Sequence, residues 1–598
     1  MKKSASLVFL SLFLLALSFS PGAAQQQAEP EKPQNNLSLV DNPEPVDERV
    51  KTGFESITGK DAVTYLEFLS SDVLQGREAA TREYETAARY AASMFSLWGI
   101  LPAGDIKFSA PQGMFGDPDA PGKPERTYLQ QVEIREILSS EGDIQVKWSQ
   151  GPLEKTHTFQ PGIDYLYSGS GTQSLSAPLV FAGYGIQEKS IKWDDYKNID
   201  IKGKFVLIFT GIPGADDPDS PFNTTEMKKK YQPPRMMRRW TSPKIELARK
   251  LGAAGVLMIE SDVQDGQDVP AQIIRSRRIN DERPIFPGER RRMSLIEGKG
   301  LPMPWQSVMR IQISREMADT ILGLISRNSQ DLQEKIISAY APFSFALEGV
   351  TLKLSNRSET RLVSSPNVLG YMEGSDPELK DEVVVIGAHL DHLGKRGDYI
   401  FNGADDNGSG SAGVMEIAEA FSKNPVKPKR SILFALWTAE EKGLLGSRYY
   451  VFHPFFPIDK TAACLNLDMI SRNWDKAGLQ RMSRMWGIDV DKETMEKIDV
   501  ENFISLSFAE EAPYLGELLR QYNRHIGLSL HLRPSESAMG GSDHAPFAMS
   551  KIPWIFFFAA MTEDYHQPSD SVEKVNSELM EKIMRLTYLT AFHIADQE

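Results

Sequence analysis

Continuous apolar runs alternate with helical patterns from about residue 366 to the end of the chain. The runs lack polar alternation, which is typical of strands that are covered on both faces. Between the first two runs, residues 409–423 place their apolar side chains on one helical face. Strands that alternate with helices predict an α/β fold with a mixed, largely parallel sheet flanked by helices. The runs are VVVIGA (383–388), ILFALWT (432–438), CLNL (464–467) and WIFFFAA (554–560).

The pattern changes between about residues 165 and 345, where the apolar runs are shorter. APLVFAGYGI (177–186) and GKFVLIF (203–209) predict strands, and residues 244–260 predict a helix that leads into a strand. This region therefore predicts an inserted, β-rich α/β domain. Two basic clusters within it, Lys228–Lys230 and Arg290–Arg292, are interpreted as solvated loop charge.

Upstream of this region, the spacing of apolar residues predicts a helix with one buried face that ends near Gly99. The residues on this face are Tyr84, Ala88, Ala91, Phe95 and Trp98.

Composition narrows the class of protein. The 598 residues predict two or three domains, and 41% apolar with 25% charged residues is an ordinary globular composition. The net charge of −14 argues against nucleic acid as a partner, because phosphate binding needs a basic surface. The single cysteine, Cys464, can form neither an internal disulfide nor a thiolate metal site.

The first 24 residues have the pattern of a secretory signal peptide. Lys2 and Lys3 precede an apolar run at 7–19, and Gly22-Ala23-Ala24 supplies small residues for cleavage. The alternative is an uncleaved membrane anchor, but the run of about 13 residues is shorter than the roughly 20 needed to span a bilayer. We therefore expect an exported protein, periplasmic or secreted, without stable membrane insertion after cleavage. The sequence does not indicate the oligomeric state.

Five residues with metal-binding side chains lie at or near the ends of the downstream runs. Two imidazoles and three carboxylates suit zinc when thiolate is absent. Five ligands are too many for one tetrahedral ion, but they suit two ions that share a carboxylate. Functional residues of open α/β sheets gather at the carboxyl ends of strands, so these side chains can meet in one crevice. They are His389, Asp406, Glu441, Asp468 and His566.

Six motifs in series around these residues resemble peptidase family M28, the co-catalytic zinc peptidases, and in particular its aminopeptidase group. Any one of the motifs is weak, but their order and spacing agree over roughly 200 residues. They are H-x-D (389–391), G-A-D-D-N-G-S-G (403–410), E-E-K-G-L-L-G-S (440–447), N-L-D-M (466–469), G-G-S-D-H (540–544) and Y-H-x-x-x-D (565–570). The inserted region resembles the protease-associated (PA) domain that is common in such peptidases.

The resemblance implies a zinc exopeptidase fold that binds two Zn²⁺ per chain. Asp406 would bridge the ions, and its peptide bond to Asn407 would be cis. The remaining ligands would divide between the ions, with His389 and Asp468 on one and Glu441 and His566 on the other.

The resemblance also implies three catalytic roles. Glu440 would act as general base on a water activated by the metal ions. Asp391 would support His389. Tyr565 would donate a hydrogen bond to the developing oxyanion, as the corresponding tyrosine does in part of the family, and a packing role for Tyr565 stays open. No catalytic role is assigned to 541–544, and His392 is left without a role.

The resulting interpretation is an exported di-zinc exopeptidase, an aminopeptidase that acts on peptide or protein N-termini. Carboxypeptidase or dipeptidase activity stays open, because the sequence does not show which peptide end the crevice accepts. Glutaminyl cyclisation on a related one-zinc fold is disfavoured by the full ligand set. A receptor-like peptidase homologue without activity is disfavoured because Glu440 and all five ligands are retained.

The expected division of the chain has five parts. They are a signal peptide (1–24), a solvated linker (25–50), the N-terminal part of the peptidase domain (51–164), an inserted PA-like domain (165–345) and the catalytic part of the peptidase domain (346–598).

Overall fold

The computed structural model describes residues 37–597, except for 41, 109–123, 151–152, 162, 168–172, 233–242, 260–290, 297, 301–308, 481–495, 497 and 536–540. The predicted signal peptide and residues 25–36 of the predicted linker lie outside the described residues. The strands in chain order are β1 (Leu37–Ser38), β2 (Leu101–Pro102), β3 (Ile106–Phe108), β4 (Pro124–Arg126), β5 (Leu129–Gln150), β6 (Leu153–Phe159), β7 (Tyr165–Tyr167), β8 (Gln173–Ala182), β9 (Gln187–Glu188), β10 (Trp193–Asp194), β11 (Phe205–Phe209), β12 (Gly255–Ile259), β13 (Arg292–Leu295), β14 (Met309–Ile313), β15 (Ser344–Met372), β16 (Val383–His389), β17 (Gly394–Arg396), β18 (Tyr399–Phe401), β19 (Ser431–Trp437), β20 (Thr461–Leu467), β21 (Phe503–Ala509), β22 (Ser529–Ser535) and β23 (Trp554–Phe558). The helices are α1 (Glu48–Ser56), α2 (Gly59–Leu69), α3 (Arg82–Leu97), α4 (Thr225–Tyr231), α5 (Pro243–Lys250), α6 (Arg315–Gly323), α7 (Ser329–Ala339), α8 (Gly410–Lys423), α9 (Leu445–Phe452), α10 (Tyr514–Asn523), α11 (His544–Met549) and α12 (Ser577–Asp596).

The downstream half is built on a mixed, largely parallel sheet, as the sequence predicts. Its strands lie in the order β15, β19, β16, β20, β23, β21, β22, β1. Pairing is parallel between β19 and β16, β16 and β20, β20 and β23, and β21 and β22. The other three pairings are antiparallel. The four apolar runs of the sequence correspond to β16, β19, β20 and β23, and the helical pattern between the first two corresponds to α8.

Helices explain why these strands have no polar face. Every residue of β16 and β19 is buried, and α8 packs against both strands and against α12. Gly387 in β16 is required by a close approach: a Cβ there would lie 2.6 Å from Nε1 of Trp437 in β19. A glycine within a strand often marks such a contact.

The inserted region has an apolar cluster of its own. β8, β11, β12 and β14 pair in parallel, and β14 pairs antiparallel with β7. The cluster between this sheet and its helices includes residues from Ile144 to Leu354. It therefore extends past both predicted boundaries, 165 and 345. The assignment of a separate PA-like domain stays a prediction.

The inserted region and the peptidase region are joined by more than their chain connections. β5 and β15 pair antiparallel from Val350 to Val368, so the same two strands run from the insert to the edge of the central sheet. β13 returns from the insert and pairs with β5 at residues 134–137. Met293 of β13 packs in one apolar cluster with Ala439 and Leu445. Part of the insert therefore lies against the segment that contains Glu440 and Glu441.

Arg291 corrects the interpretation of the second basic cluster as solvated loop charge. Its guanidinium donates to Oε1 of Glu136 at 2.6 Å and to the Ala79 carbonyl at 3.0 Å. Arg361 donates to the other oxygen of Glu136, also at 2.6 Å. Arg290 lies outside the described residues. In the sequence, Arg291 resembles exposed charge because its buried partner, Glu136, is 155 residues away.

The segment before the first long helix also differs from expectation. Residues 37–38 and 48–50 carry secondary structure where the sequence predicts a solvated linker. β1 pairs with β22, and α1 begins at Glu48 with its N-cap at Asp47. Further on, the predicted amphipathic helix is α3, and it buries Tyr84, Ala88 and Phe95 as expected. Within the described residues, no helix combines the length and the apolar character needed to cross a membrane.

Replacing Glu136 by glutamine tests the junction between the two regions. Burial raises the pKa of the Glu136 carboxyl, but hydrogen bonds from Arg291 and Arg361 outweigh this effect and hold the pKa below its usual value. We expect Glu136→Gln to lower the free energy of unfolding at neutral pH by about 1–3 kcal/mol, since hydrogen bonds to charged groups contribute about this much. The deficit should be full above the unfolded-state pKa of about 4.3 and shrink as the pH falls through the lower folded-state pKa.

Denaturation midpoints across pH measure this deficit. Glu133→Gln is the matched control, because Glu133 is an exposed glutamate of the same strand. It should change stability by no more than about 0.5 kcal/mol. Equal midpoints for the two variants at neutral pH would contradict the assignment.

Candidate metal centre

The candidate metal ligands gather at one edge of the central sheet. His389 is the last residue of β16, and Asp406 lies in the turn at Ala404–Ser409 just before α8. Glu441 follows β19, Asp468 follows β20, and His566 lies in the loop after β23. These four strands are parallel neighbours, so their carboxyl ends deliver the side chains to one crevice.

The two carboxylate oxygens of Asp406 face different imidazoles. Oδ1 lies 3.4 Å from Nε2 of His389, and Oδ2 lies 3.1 Å from Nε2 of His566. The peptide bond from Asp406 to Asn407 is cis, as the family resemblance implies. One carboxylate is therefore oriented toward two separate sets of donors.

The first donor group consists of His389 Nε2, Asp406 Oδ1 and Asp468 Oδ1. His389 Nε2 lies 3.5 Å from Asp468 Oδ1. Nδ1 of His389 lies 3.0 Å from the backbone carbonyl of Asp391. A carbonyl can only accept, so Nδ1 carries a proton and Nε2 is the nitrogen that faces the crevice. Ser542 fixes the remaining carboxylate by donating to Asp468 Oδ2 at 2.6 Å.

The second donor group consists of Glu441 Oε1, Asp406 Oδ2 and His566 Nε2. Glu441 Oε1 lies 3.1 Å from His566 Nε2, the same distance as Asp406 Oδ2. His392, which the sequence left without a role, also points here: its Nδ1 lies 3.0 Å from Glu441 Oε1.

The electrostatics of the crevice favour positive charge. Burial lowers the pKa of His389, but the facing carboxylates, Asp468 above all, outweigh it and raise the pKa well above the usual value. Burial also lowers the pKa of His566, yet Glu441 and Asp406 raise it to about 9. The carboxylates therefore favour a proton or a metal cation at these imidazoles, whereas burial alone would favour the neutral rings.

Buried carboxylate oxygens that make no hydrogen bond indicate whether metal ions fit the two donor groups. Among the described residues, Asp406 Oδ2, Glu441 Oε1 and Asp468 Oδ1 are buried and make no hydrogen bond. Each of these oxygens belongs to one of the two donor groups. Buried charged oxygens are costly unless they are paired or coordinate a metal. Nitrogen and oxygen donors in two groups that share one carboxylate fit a pair of zinc ions.

The remaining predicted residues lie beside these groups. Glu440 Oε2 is 3.9 Å from His389 Nε2, and burial together with the nearby carboxylates raises the pKa of Glu440 well above normal. The Asp391 carboxylate lies 4.0 Å from His389 Nδ1 and accepts instead from the backbone N–H of Glu440 at 2.9 Å. Asp391 thus meets His389 through its carbonyl and holds the Glu440 backbone through its side chain. The Tyr565 ring stacks on His566, with centroids 3.8 Å apart.

Arg77 is a supporting residue that sequence reasoning missed. Its side chain is fully buried in the peptidase region. Burial lowers its pKa to about 10, which leaves the guanidinium charged at neutral pH. It ties the loop after His389 to the turn before Asp406. It does so by donating to the carbonyls of Leu69, Leu390, Asn402 and Gly403.

Asp570 is a second supporting residue, and it closes the Y-H-x-x-x-D motif. Its carboxylate accepts from the backbone N–H groups of Asp405 and Asp406, each at 3.1 Å. Asp405 itself turns away from the crevice and accepts from both Ser471 N–H and Oγ. The motif could have indicated Asp570, whereas nothing local in the sequence indicates the partners of Arg77.

Arg77→Met tests the role of these carbonyl contacts. Methionine fills much of the space but removes the hydrogen bonds from the guanidinium to these carbonyls, of which the Gly403 carbonyl keeps the Gly408 N–H at 3.0 Å. Each buried carbonyl left without a donor costs about 1–3 kcal/mol. We expect a loss of at least about 3 kcal/mol in stability, together with lower zinc content after dialysis. Denaturation midpoints and elemental analysis measure the two effects. Arg82→Met is the control, because Arg82 is exposed on α3; the prediction is wrong if the two variants behave alike.

Comparison with known proteins agrees with this geometry. Leupeptin-inactivating enzyme 1 of Streptomyces exfoliatus is 31% identical over 188 residues, which cover 31% of this chain and 34% of that protein. Aminopeptidase YwaD of Bacillus subtilis strain 168 is 27% identical over 243 residues, or 39% of this chain and 46% of that protein. Glutamate carboxypeptidase 2 homolog of Caenorhabditis elegans is 25% identical over 427 residues, or 64% of this chain and 47% of that protein. The chain thus spans about a third to a half of the length of these curated relatives.

Residues 367–591 match the sequence model of peptidase family M28. The match includes every candidate ligand from His389 to His566. With the parallel strand ends, the two donor groups and this match in agreement, this part of the chain belongs to peptidase family M28.

Proposed function

We propose that the protein is an exported di-zinc metallopeptidase, an aminopeptidase that removes residues from free N-termini. The observation that carries the proposal is the Asp406 carboxylate, whose two oxygens face two donor groups. Export rests on the signal-like pattern of residues 1–24. The family match and the aminopeptidase named among the relatives support the class of reaction.

The two donor groups would hold the two zinc ions, with Asp406 shared between them. When bound, the ions would supply Lewis acidity toward the scissile carbonyl and lower the pKa of a water in the crevice. The chain itself contributes the groups that orient the substrate and move protons.

Glu440 is the residue placed to move a proton. Its side chain is largely buried beside His389, and its backbone is held by Asp391. A carboxylate at this position would take the proton of the attacking water and return it to the leaving amine. The hydrogen bond to its backbone N–H limits the motion of Glu440 and keeps it beside His389.

Tyr565 would act on the negative charge that develops on the substrate. Burial, reinforced by the carboxylates of the crevice, raises the pKa of its phenol well above normal, so the hydroxyl stays protonated. Its ring is fixed by stacking on His566. A protonated phenol in this place would stabilise negative charge on the carbonyl oxygen of the substrate.

The carboxylates of the crevice support recognition of a free amine. Asp406, Glu440, Glu441 and Asp468 converge there, and the four positive charges of two dications would balance their four negative charges. An N-terminal amine or ammonium could still be held by a metal or by a neighbouring carboxylate such as Glu440. Recognition of this kind would distinguish an aminopeptidase from a carboxypeptidase.

A peptide with and without N-terminal acetylation tests the proposed function. We expect stepwise loss of residues from the free amino end and no cleavage of the acetylated peptide, with products read by mass spectrometry. Acetylation removes the charge that the carboxylates would hold. Equal cleavage of both forms, or loss from the carboxyl end, would show that the aminopeptidase assignment is wrong. Omitting zinc after chelation is the control for metal dependence.

Glu440→Gln tests the proton-transfer step separately. We expect the variant to retain its zinc and its fold but to lose about 10²–10⁴-fold in kcat, the usual contribution of general acid–base catalysis. Elemental analysis and steady-state kinetics on the same sample measure both quantities. Glu563→Gln is the matched control, since Glu563 is exposed in the loop that carries Tyr565. Near-normal turnover of Glu440→Gln would assign proton transfer to another group.

A further inference from the structure

His392 has no role in the proposed mechanism, yet it is buried in the crevice. Its side chain is fully buried, and its Nδ1 lies 3.0 Å from the carboxylate oxygen Oε1 of Glu441. An imidazole nitrogen and a buried carboxylate oxygen at this distance share either a proton or a metal ion. The position of Nδ1 identifies where a metal ion would lie.

Nδ1 of His392 converges on the same atoms as the second donor group. It lies 3.0 Å from Glu441 Oε1 and 3.9 Å from Asp406 Oδ2. Glu441 Oε1 therefore has two imidazole nitrogens within 3.1 Å, one from His392 and one from His566. The ligating atoms of His392, Asp406 and Glu441 all lie within 4.8 Å of one another.

These separations fit donors that share one zinc ion. With bonds of about 2.0–2.1 Å, two donors at the tetrahedral angle of a zinc ion lie roughly 3.3–3.4 Å apart. Nδ1 of His392 lies 3.0 Å from Glu441 Oε1 and 3.9 Å from Asp406 Oδ2, one distance on each side of this value. His392 thus adds a donor to the second group.

The ring of His392 is held in this orientation by its surroundings. Its backbone N–H donates to the Arg77 carbonyl at 3.2 Å. Gly403 lies against the ring, and a Cβ there would be 2.5 Å from both Cγ and Cδ2 of the imidazole. Gly403 also has a φ of 58°, a backbone conformation that favours glycine. Both the close contact and the backbone conformation therefore disfavour a side chain at this position. The pocket is therefore shaped to hold the imidazole against the second donor group.

We propose that His392 is a metal ligand through Nδ1, which gives the second zinc ion four protein donors: Asp406, Glu441, His566 and His392. The inference rests on the di-zinc site of the proposed function and adds a ligand to it. The two ions are then unequal, because the second ion carries two imidazoles and the first carries one. An additional neutral donor reduces the Lewis acidity of the second ion relative to the first.

Two variants separate a ligand from a hydrogen-bond donor. His392→Ala removes the imidazole, and His392→Asn places an amide N–H close to the position of Nδ1 without a nitrogen lone pair. Zinc affinities of the full chain are measured by competition with a chromophoric chelator. We expect wild type to bind two zinc ions. Both variants should bind the second ion about 100-fold more weakly or worse. Loss of a residue that only hydrogen-bonds to a metal ligand costs about 10–100-fold in affinity, so loss of a ligand should reach or exceed the upper end of that range. The first ion should bind with similar affinity in all three proteins.

The outcomes are distinguishable. If His392→Asn keeps wild-type affinity, His392 only donates a hydrogen bond to Glu441 and the inference is wrong. If both variants keep it, the inference fails while the di-zinc site stands; if wild type itself binds fewer than two ions, the site in the proposed function fails as well. His531→Asn is the control for loss of a buried imidazole, since His531 lies in β22 and bonds to Ser505. Apo-protein melting curves check folding, and a crystal structure of the zinc-loaded protein should place Nδ1 about 2.0–2.2 Å from the ion.

Discussion

Repulsion among buried carboxylates is the constraint on which the rest of the site depends. Asp406, Glu440, Glu441 and Asp468 lie together in a crevice from which water is largely excluded, and like charges at such distances oppose one another strongly. The imidazoles of the site offset part of this repulsion, as the raised pKa of His389 and His566 indicates. Binding of two dications would displace protons from these imidazoles and balance the four negative charges. The free energy of folding must therefore come from elsewhere in the domain.

The backbone around the crevice is fixed by charged groups that do not face the ions. Arg77 binds carbonyls on two loops, and Asp570 binds the N–H groups of Asp405 and Asp406. Arg77 thus satisfies backbone acceptors at the turn that carries Asp406, and Asp570 satisfies backbone donors of the same turn. This arrangement holds the ligands in place without using the ligand atoms themselves, which are left available for metal.

The sequence predicted the parts of the site whose signals are local. Buried parallel strands leave unbroken apolar runs, and ligands such as His389 and Asp468 follow those runs directly, so both the fold and the ligand order could be read. The contacts of Arg77 were not predictable, because three of the four join residues more than 300 positions apart and all end on backbone carbonyls. Arg291 was misinterpreted for a similar reason, since its partner Glu136 is 155 residues away. His392 adjoins a recognised motif, but only the structure shows that its ring turns toward Glu441.

The position of Met293 limits how independently the two regions can change during evolution. This residue lies within the predicted insert, yet it packs in one apolar cluster with Ala439, which immediately precedes Glu440 and Glu441. Nearby, Arg291 contacts the backbone at Ala79 and the carboxylate of Glu136. An exchange of this region for an unrelated module would leave an apolar hollow beneath the donor groups and would leave Glu136 with Arg361 but without Arg291. The insert is in this respect a component of the peptidase, and substitutions at its returning strand would be expected to arise together with changes in the host.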